Sequence, residues 1–132
     1  MTTALIIEDN PVNMILAIMV LERAGYRVLQ ADQALTGLQL ARQHLPEVIL
    51  MDIQLPGMDG LSATQELKAD PHTAGIKVIA LTAYTMAGDQ ARFIAAGCDD
   101  YISKPIRYKE LLAAVERVLR GSLVSSEGAK TS

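Results

Sequence analysis

Short aliphatic runs alternate along the chain with longer stretches of helical period, and this alternation predicts crossover units wound about a parallel sheet. Strands are expected over Ala4 to Ile7, Arg27 to Ala31, Glu47 to Met51, Lys77 to Leu81 and Asp100 to Ser103. Helices are expected over Pro11 to Ala24, Gln33 to Gln43, Gly60 to Lys68, Ala87 to Ala96 and Tyr108 to Leu119. The punctuation agrees with the periodicity. Asn10 followed by Pro11 reads as an N-cap and first-turn pair, and Gly25, Gly97 and Gly121 stand where left-handed C-terminal caps belong. On the first helix Leu16, Ala17, Val20, Leu21 and Ala24 share one stripe, expected to face the sheet. Met14, Ile15, Ile18 and Met19 then point elsewhere, and an apolar outer face of this kind marks a docking surface for a helical partner. After Gly121 the residues turn small and polar, so residues 1–121 are expected to form one domain and 122–132 a flexible tail or the start of a linker.

Composition narrows the classes. A chain of 132 residues is the size of one domain and buries about two-thirds of the surface its unfolded form exposes. Half the residues are apolar and 20% are charged, which excludes intrinsic disorder. A net charge of -3 gives no positive field for a phosphate backbone, so no nucleic-acid partner is expected. The longest apolar run, Met14 to Leu21, is too short to cross a bilayer, and no basic-then-apolar leader precedes it. The expected setting is therefore cytoplasmic, with no membrane contact. Cys98, the single cysteine, excludes an internal disulfide framework and a cysteine-based zinc site and reads as a small buried residue. His44 and His72 read as solvated.

In an open parallel α/β sheet, ligands bind outside the carboxyl ends of the strands. Those ends carry Glu8 and Asp9, Asp52, Thr82 with Ala83, and Lys104 with Pro105. Three carboxylates gathered at one edge repel one another and call for a cation. Mg²⁺ suits the set, because it prefers few carboxylates together with waters and a phosphate oxygen. Thr82, the Ala83 amide and Lys104 supply donors for a phosphoryl group. Asp52, at the end of the apolar run Val48 to Met51, is the best-placed nucleophile and would become an aspartyl phosphate.

The segments Leu5-Ile6-Ile7-Glu8-Asp9-Asn10, Met51-Asp52-Ile53-Gln54-Leu55-Pro56-Gly57-Met58-Asp59-Gly60, Leu81-Thr82-Ala83 and Tyr101-Ile102-Ser103-Lys104-Pro105 follow one another in this order. With them the chain, over residues 4 to 120, resembles the receiver domains of two-component response regulators, and in texture the stand-alone regulators of the DivK type. The resemblance implies a doubly wound, five-stranded parallel sheet with five helices, flavodoxin-like and CheY-like in its order 2-1-3-4-5. It implies Mg²⁺ held by Glu8, Asp9, Asp52 and the Gln54 carbonyl, with Asp52 as phosphoacceptor. Thr82 and Tyr101 become a switch pair, Lys104 and the Ala83 amide phosphate ligands, and Lys104-Pro105 a cis peptide. Gln54 and Tyr84 fall at the positions that tune how long the phosphoryl group lasts. Glu8 stands where aspartate is commoner in that family.

The implied function is to receive a phosphoryl group from a histidine kinase or histidine phosphotransfer protein and to signal to a downstream protein target, as a monomer or weak dimer. The same motifs also suit a receiver excised from a hybrid histidine kinase. A Mg²⁺-dependent phosphohydrolase of the haloacid-dehalogenase type shares the aspartate, threonine and lysine. That chemistry needs a second aspartate two positions after the nucleophile, where this chain has Gln54, which cannot protonate a leaving group. The expectation is a signalling receiver that catalyses only its own phosphorylation and dephosphorylation, not an enzyme acting on other substrates.

Overall fold

A computed structural model describes residues 2–55, 57–83 and 89–131, with side chains through Arg120. Its strands are β1 (Thr3–Ile7), β2 (Arg27–Ala31), β3 (Val48–Asp52), β4 (Lys77–Thr82) and β5 (Asp100–Ser103). Its helices are α1 (Pro11–Arg23), α2 (Ala34–His44), α3 (Gly60–Ala69), α4 (Asp89–Ala96) and α5 (Tyr108–Thr131). The sheet is parallel throughout, in the order β2-β1-β3-β4-β5. The central place of β3 explains its composition: Val48 to Asp52 is buried at all positions because helices cover both faces of the sheet. At the β2 edge, by contrast, Arg27 and Gln30 are exposed.

Alternation along the strands divides the core in two. Leu5, Ile7, Ile49 and Met51 pack with Leu38 of α2, Leu67 of α3 and Phe93 of α4. Ala4, Ile6, Val48 and Leu50 pack with Leu21 of α1 and with Leu111 and Val115 of α5. The elements are therefore wound on both faces, and all five strands deliver their carboxyl ends to one edge.

Two readings of the pattern need correction. On α1 the inward stripe is Met14, Ala17, Val20 and Leu21, while Ala24 is exposed and forms the C-cap. Met14 belongs to the core because positions 14, 17 and 21 recur at helical spacing along the line that meets α5, whereas the chain has already turned out of the helix at residue 24. Leu16 and Ile18 are half-buried, and the outward apolar residues are Val12, Ile15 and Met19, at 73%, 57% and 50% exposure. The second correction concerns the C-terminus. The helix expected to end near Leu119 continues as α5 backbone through Gly121 to Thr131. Gly121 lies inside α5, whereas Gly25 and Gly97, which follow α1 and α4, have φ of 95° and 102°, and a glycine inside a helix costs only about 1 kcal/mol relative to alanine. One helix end was unmarked in the sequence: α2 closes on Leu45, a non-glycine residue with φ 47°.

Gly60 sets how closely α3 approaches the end of β3. A Cβ there would lie 2.3 Å from the Asp52 carbonyl oxygen and 2.8 Å from the Ile53 Cα, both rigid backbone atoms. Its amide also donates to the Ile53 carbonyl at 3.1 Å. Gly60→Ala is therefore expected to force the β3–α3 connection apart and to cost roughly 2–3 kcal/mol in denaturant unfolding, the range of an overpacked core position. A loss under about 0.5 kcal/mol, the ordinary surface range, would show that the loop yields freely.

Candidate functional site

Each member of the strand-end cluster is held by an identifiable local device. Glu8 continues β1 by one residue, its amide donating to the Ala31 carbonyl at 3.0 Å, so its side chain stays inside the fold at 1% exposure. Asp9 follows and is exposed. Asn10 then caps α1, its Oδ1 accepting from the Val12 and Asn13 amides at 2.9 and 3.1 Å. The Asn10 amide in turn donates to Glu8 Oε2 at 3.0 Å. The N-cap thus also orients the first carboxylate, a role that the Asn10-Pro11 signal hid behind helix initiation.

Asp52 ends β3 at 2% exposure. Its Oδ1 accepts from the Gln54 amide at 2.9 Å and its Oδ2 lies 3.2 Å from Lys104 Nζ. Both oxygens have a fixed partner, so the carboxyl plane is set. Thr82 ends β4, fully buried, and its carbonyl accepts from the Lys104 amide at 2.8 Å, which ties the lysine-bearing turn to β4. The Lys104-Pro105 peptide is cis. Lys104 Nζ also lies 3.1 Å from Glu8 Oε1, so one ammonium spans two buried carboxylates. Ala83 is exposed at the mouth and Gln54 projects outward, while Tyr84 lies outside the described residues.

The electrostatics follow from burial. Glu8 is pushed up from 4.5 to about 7, first because it is out of water and then because Asp52 stands beside it; the Asn10 amide and Lys104 oppose the rise. Burial draws Lys104 down, but the charge of Asp52 and the contact with Glu8 outweigh it and leave the ammonium above its ordinary value. Among the described residues, Glu8, Asp9 and Asp52 bring one oxygen each within 4.8 Å of one another. Glu8 Oε1 is buried with no donor aligned on it, despite the nearby ammonium. An all-oxygen set holding more negative charge than Lys104 can offset, with a buried oxygen left over, fits a hard divalent cation such as Mg²⁺.

Tyr101 sits on β5 half-buried, its ring 5.8 Å from that of Phe93 on α4 at an interplanar angle of 51°. A crevice of about 320 Å³ opens on its α5 side, lined in part by Ala113 and Arg117. Asp100 is a feature the sequence did not reveal: its carboxylate accepts from the Tyr101 amide at 2.8 Å and pairs with Arg117 of α5. His44 and His72 are exposed, as expected, and Cys98 is buried, its thiol pushed up to about 11 by burial.

Fold and site together define an acidic pocket, spanned by one lysine, at the carboxyl edge of a doubly wound sheet. The chain belongs to the response regulator receiver domains, the family whose model matches residues 4–116. It is 43% identical over 117 residues to the polar-differentiation response regulator DivK of Brucella anthropi, covering 89% of this chain and 95% of that one. It is also similar to the receiver domain of a sensor histidine kinase from Pseudomonas aeruginosa, solved with a magnesium ion coordinated in its active-site cleft. There the identity is 36% and the TM-score 0.78, over 90% of this chain and 94% of that one. A chemotaxis protein of Vibrio cholerae, 24% identical with TM-score 0.85 over 89% of this chain and 98% of that one, shares the fold. The chain is thus a signalling phosphoacceptor rather than a conventional enzyme, and the phosphohydrolase reading is not favoured. Receivers act with histidine kinases and downstream proteins. Among the described residues, no helix is long and apolar enough to cross a membrane.

Proposed function

We propose that Asp52 accepts the phosphoryl group, with Glu8, Asp9, Asp52 and the Gln54 carbonyl holding Mg²⁺. The observation that carries this reading is the Asp52 carboxylate, buried at the end of the central strand and clamped between the Gln54 amide and Lys104. In transfer from a phosphohistidine, an Asp52 oxygen forms the new O–P bond while the P–N bond breaks, its electron pair leaving with the imidazole. A bound Mg²⁺ ion supplies charge neutralisation for the phosphoryl oxygens. Lys104 and the Ala83 amide bind two of those oxygens and Thr82 donates to another. Gln54 and Tyr84 tune the later hydrolysis by orienting or excluding water. The phosphoryl donor is a histidine kinase or histidine phosphotransfer protein, the setting is the cytoplasm, the output is contact with a downstream protein, and the chain is a monomer or weak dimer. The direct test is intact-mass spectrometry after acetyl phosphate treatment: one phosphoryl adduct is expected with Mg²⁺ and none after chelation.

Phosphorylation is expected to draw the Thr82 hydroxyl inward and let the Tyr101 ring turn, changing the surface of α4 and α5 around it. A ligand shifts such an equilibrium only by binding its two states differently, and the Thr82 contact is that difference. NMR with a beryllofluoride phosphoryl mimic should show shifts reaching Phe93, Tyr101 and Arg117 in the wild type and confined to the pocket in Thr82→Ala. Equal spread in both proteins refutes the coupling.

The exposed stripe Val12, Ile15 and Met19 on α1 begins beside the pocket, which suits it to receive the phosphodonor. Ile15→Lys with Met19→Lys is expected to slow transfer from the kinase at least tenfold while acetyl phosphate still labels the protein. Two buried apolar contacts of about 1–2 kcal/mol each account for that size of effect. Unchanged transfer removes this docking face.

A further inference from the structure

Asn10 is exposed, and by burial alone a substitution there would be close to neutral. Its hydrogen bonds point the other way. The side-chain Oδ1 accepts from the Val12 and Asn13 amides at 2.9 and 3.1 Å and the carbonyl accepts from the Met14 amide at 2.9 Å, so both grip the first turn of α1. Pro11 disfavours helical backbone at the residue before it, and Asn10 stands extended at φ −84° and ψ 119°. In that conformation its own amide turns away from the helix and donates to Glu8 Oε2 at 3.0 Å. One residue therefore ties the start of α1 to a carboxylate at the end of β1.

Glu8 is the member of the cluster that most needs such an anchor. Its side chain has one torsion more than an aspartate, so an ion must either find it already fixed or bear the cost of fixing it. Lys104 lies 3.1 Å from Glu8 Oε1 but also attends Asp52 at 3.2 Å, and Oε1 is left buried with no donor aligned on it. With Oε2 held by the Asn10 amide, Oε1 is the oxygen left to an ion.

We propose that Asn10 is a positioning residue for the metal: by capping α1, its side chain holds its amide on Glu8 and so sets the affinity for Mg²⁺. This rests on the reading that Glu8, Asp9 and Asp52 hold the ion. Asn10 acts through Glu8 and ligates nothing itself. Loss of the cap lets the first turn of α1 fray, and the amide that orients Glu8 moves with it. Groups that orient a metal ligand in this way carry roughly tenfold or more in affinity.

The test measures Mg²⁺ binding to the full chain by isothermal titration calorimetry, beside a thermal melt without metal. Asn10→Ala keeps the amide and loses the cap, and its Kd for Mg²⁺ should rise roughly tenfold. Asn10→Ser, whose hydroxyl can cap in the same place, should return Kd to near the wild-type value. Thr73→Ala separates affinity from stability. It removes a buried hydroxyl from the Leu67 carbonyl, 2.7 Å away, in the loop before β4 and so at the edge of the sheet opposite the pocket. That variant should melt lower and bind Mg²⁺ as the wild type does. Labelling by acetyl phosphate gives a second readout: Asn10→Ala should need a half-maximal Mg²⁺ concentration raised by the same factor as Kd, with its maximal rate recovered at saturating Mg²⁺. A wild-type Kd for Asn10→Ala, while Glu8→Gln binds weakly, overturns the assignment and leaves the metal site standing. Binding as weak in Asn10→Ser as in Asn10→Ala, or weakened in Thr73→Ala in step with its lost stability, overturns it as well. Absence of Mg²⁺ binding by the wild type overturns the metal reading and the proposal together.

Discussion

Asp52→Ala is expected to abolish the phosphoryl adduct from acetyl phosphate, and Asp52→Asn to do the same with the pocket's shape preserved. The geometry explains why no neighbour substitutes. Glu8 is as buried as Asp52, but its Oε2 is held by the Asn10 amide and its Oε1 faces Lys104, while Asp9 lies on the exposed side of the strand end. Only Asp52 stands at the end of the central strand with its carboxyl plane set toward the converging loops. An amide is too weak a nucleophile to replace it. The variant should also hold its fold. In Asp52→Asn the Gln54 amide keeps an acceptor, Lys104 keeps Glu8, and one of three mutually repelling carboxylates is gone, so the metal-free melting temperature should stay level or rise. Intact-mass spectrometry and a thermal melt decide both points. An adduct of wild-type yield on Asp52→Ala would place the acceptor elsewhere, and a collapsed melt for Asp52→Asn would show the carboxylate to be structural first.

The second large effect is expected in how stability without metal depends on pH. Glu8 takes up its proton near pH 7 in the folded protein but near 4.5 when its surroundings are lost. Between those values the folded state binds the extra proton, so stability falls as pH rises across this window. The contribution is complete below the lower value and gone above the upper one. Lys104 adds no slope there, since it is held above 10.5 and stays protonated throughout. Each tenfold change in proton affinity is worth about 1.4 kcal/mol, which sets an upper bound of about 3–4 kcal/mol for the loss. A divalent cation binds the deprotonated set, so added Mg²⁺ should raise the melting temperature more at pH 8 than at pH 6. Glu8→Gln should flatten the metal-free pH dependence while keeping the Asn10 amide satisfied. Equal Mg²⁺ effects at the two pH values, or an unaltered slope in Glu8→Gln, would mean that Glu8 does not titrate against the cation.

These two expectations draw on different parts of the inference. That Asp52 ends a central strand was legible in the run Val48 to Met51, because a strand covered on both faces must be apolar throughout and its first charged residue marks the exit. The cluster's members were legible for the same reason at Glu8, Thr82 and Lys104. Their pairing was not. That Lys104 spans Glu8 and Asp52 depends on strands β1, β3 and β5 being brought to one edge, and on the turn after β5 being tied to Thr82.

Local pattern therefore determined the alternation of strands and helices, the residues that close each strand, and the caps at Asn10, Gly25 and Gly97, since each depends on near neighbours in the chain. Only the tertiary structure decided which side of α1 faces inward. Periodicity defines a stripe but not its phase when apolar residues surround most of the helix, and the fit against α5 selected Met14 over Ala24. The end of α5 was likewise beyond local reading, because Gly121 can cap a helix or continue it with a difference of only about 1 kcal/mol. The Asp100–Arg117 pair arises from a contact between elements distant in sequence. No spacing along the chain encodes such contacts; packing creates them.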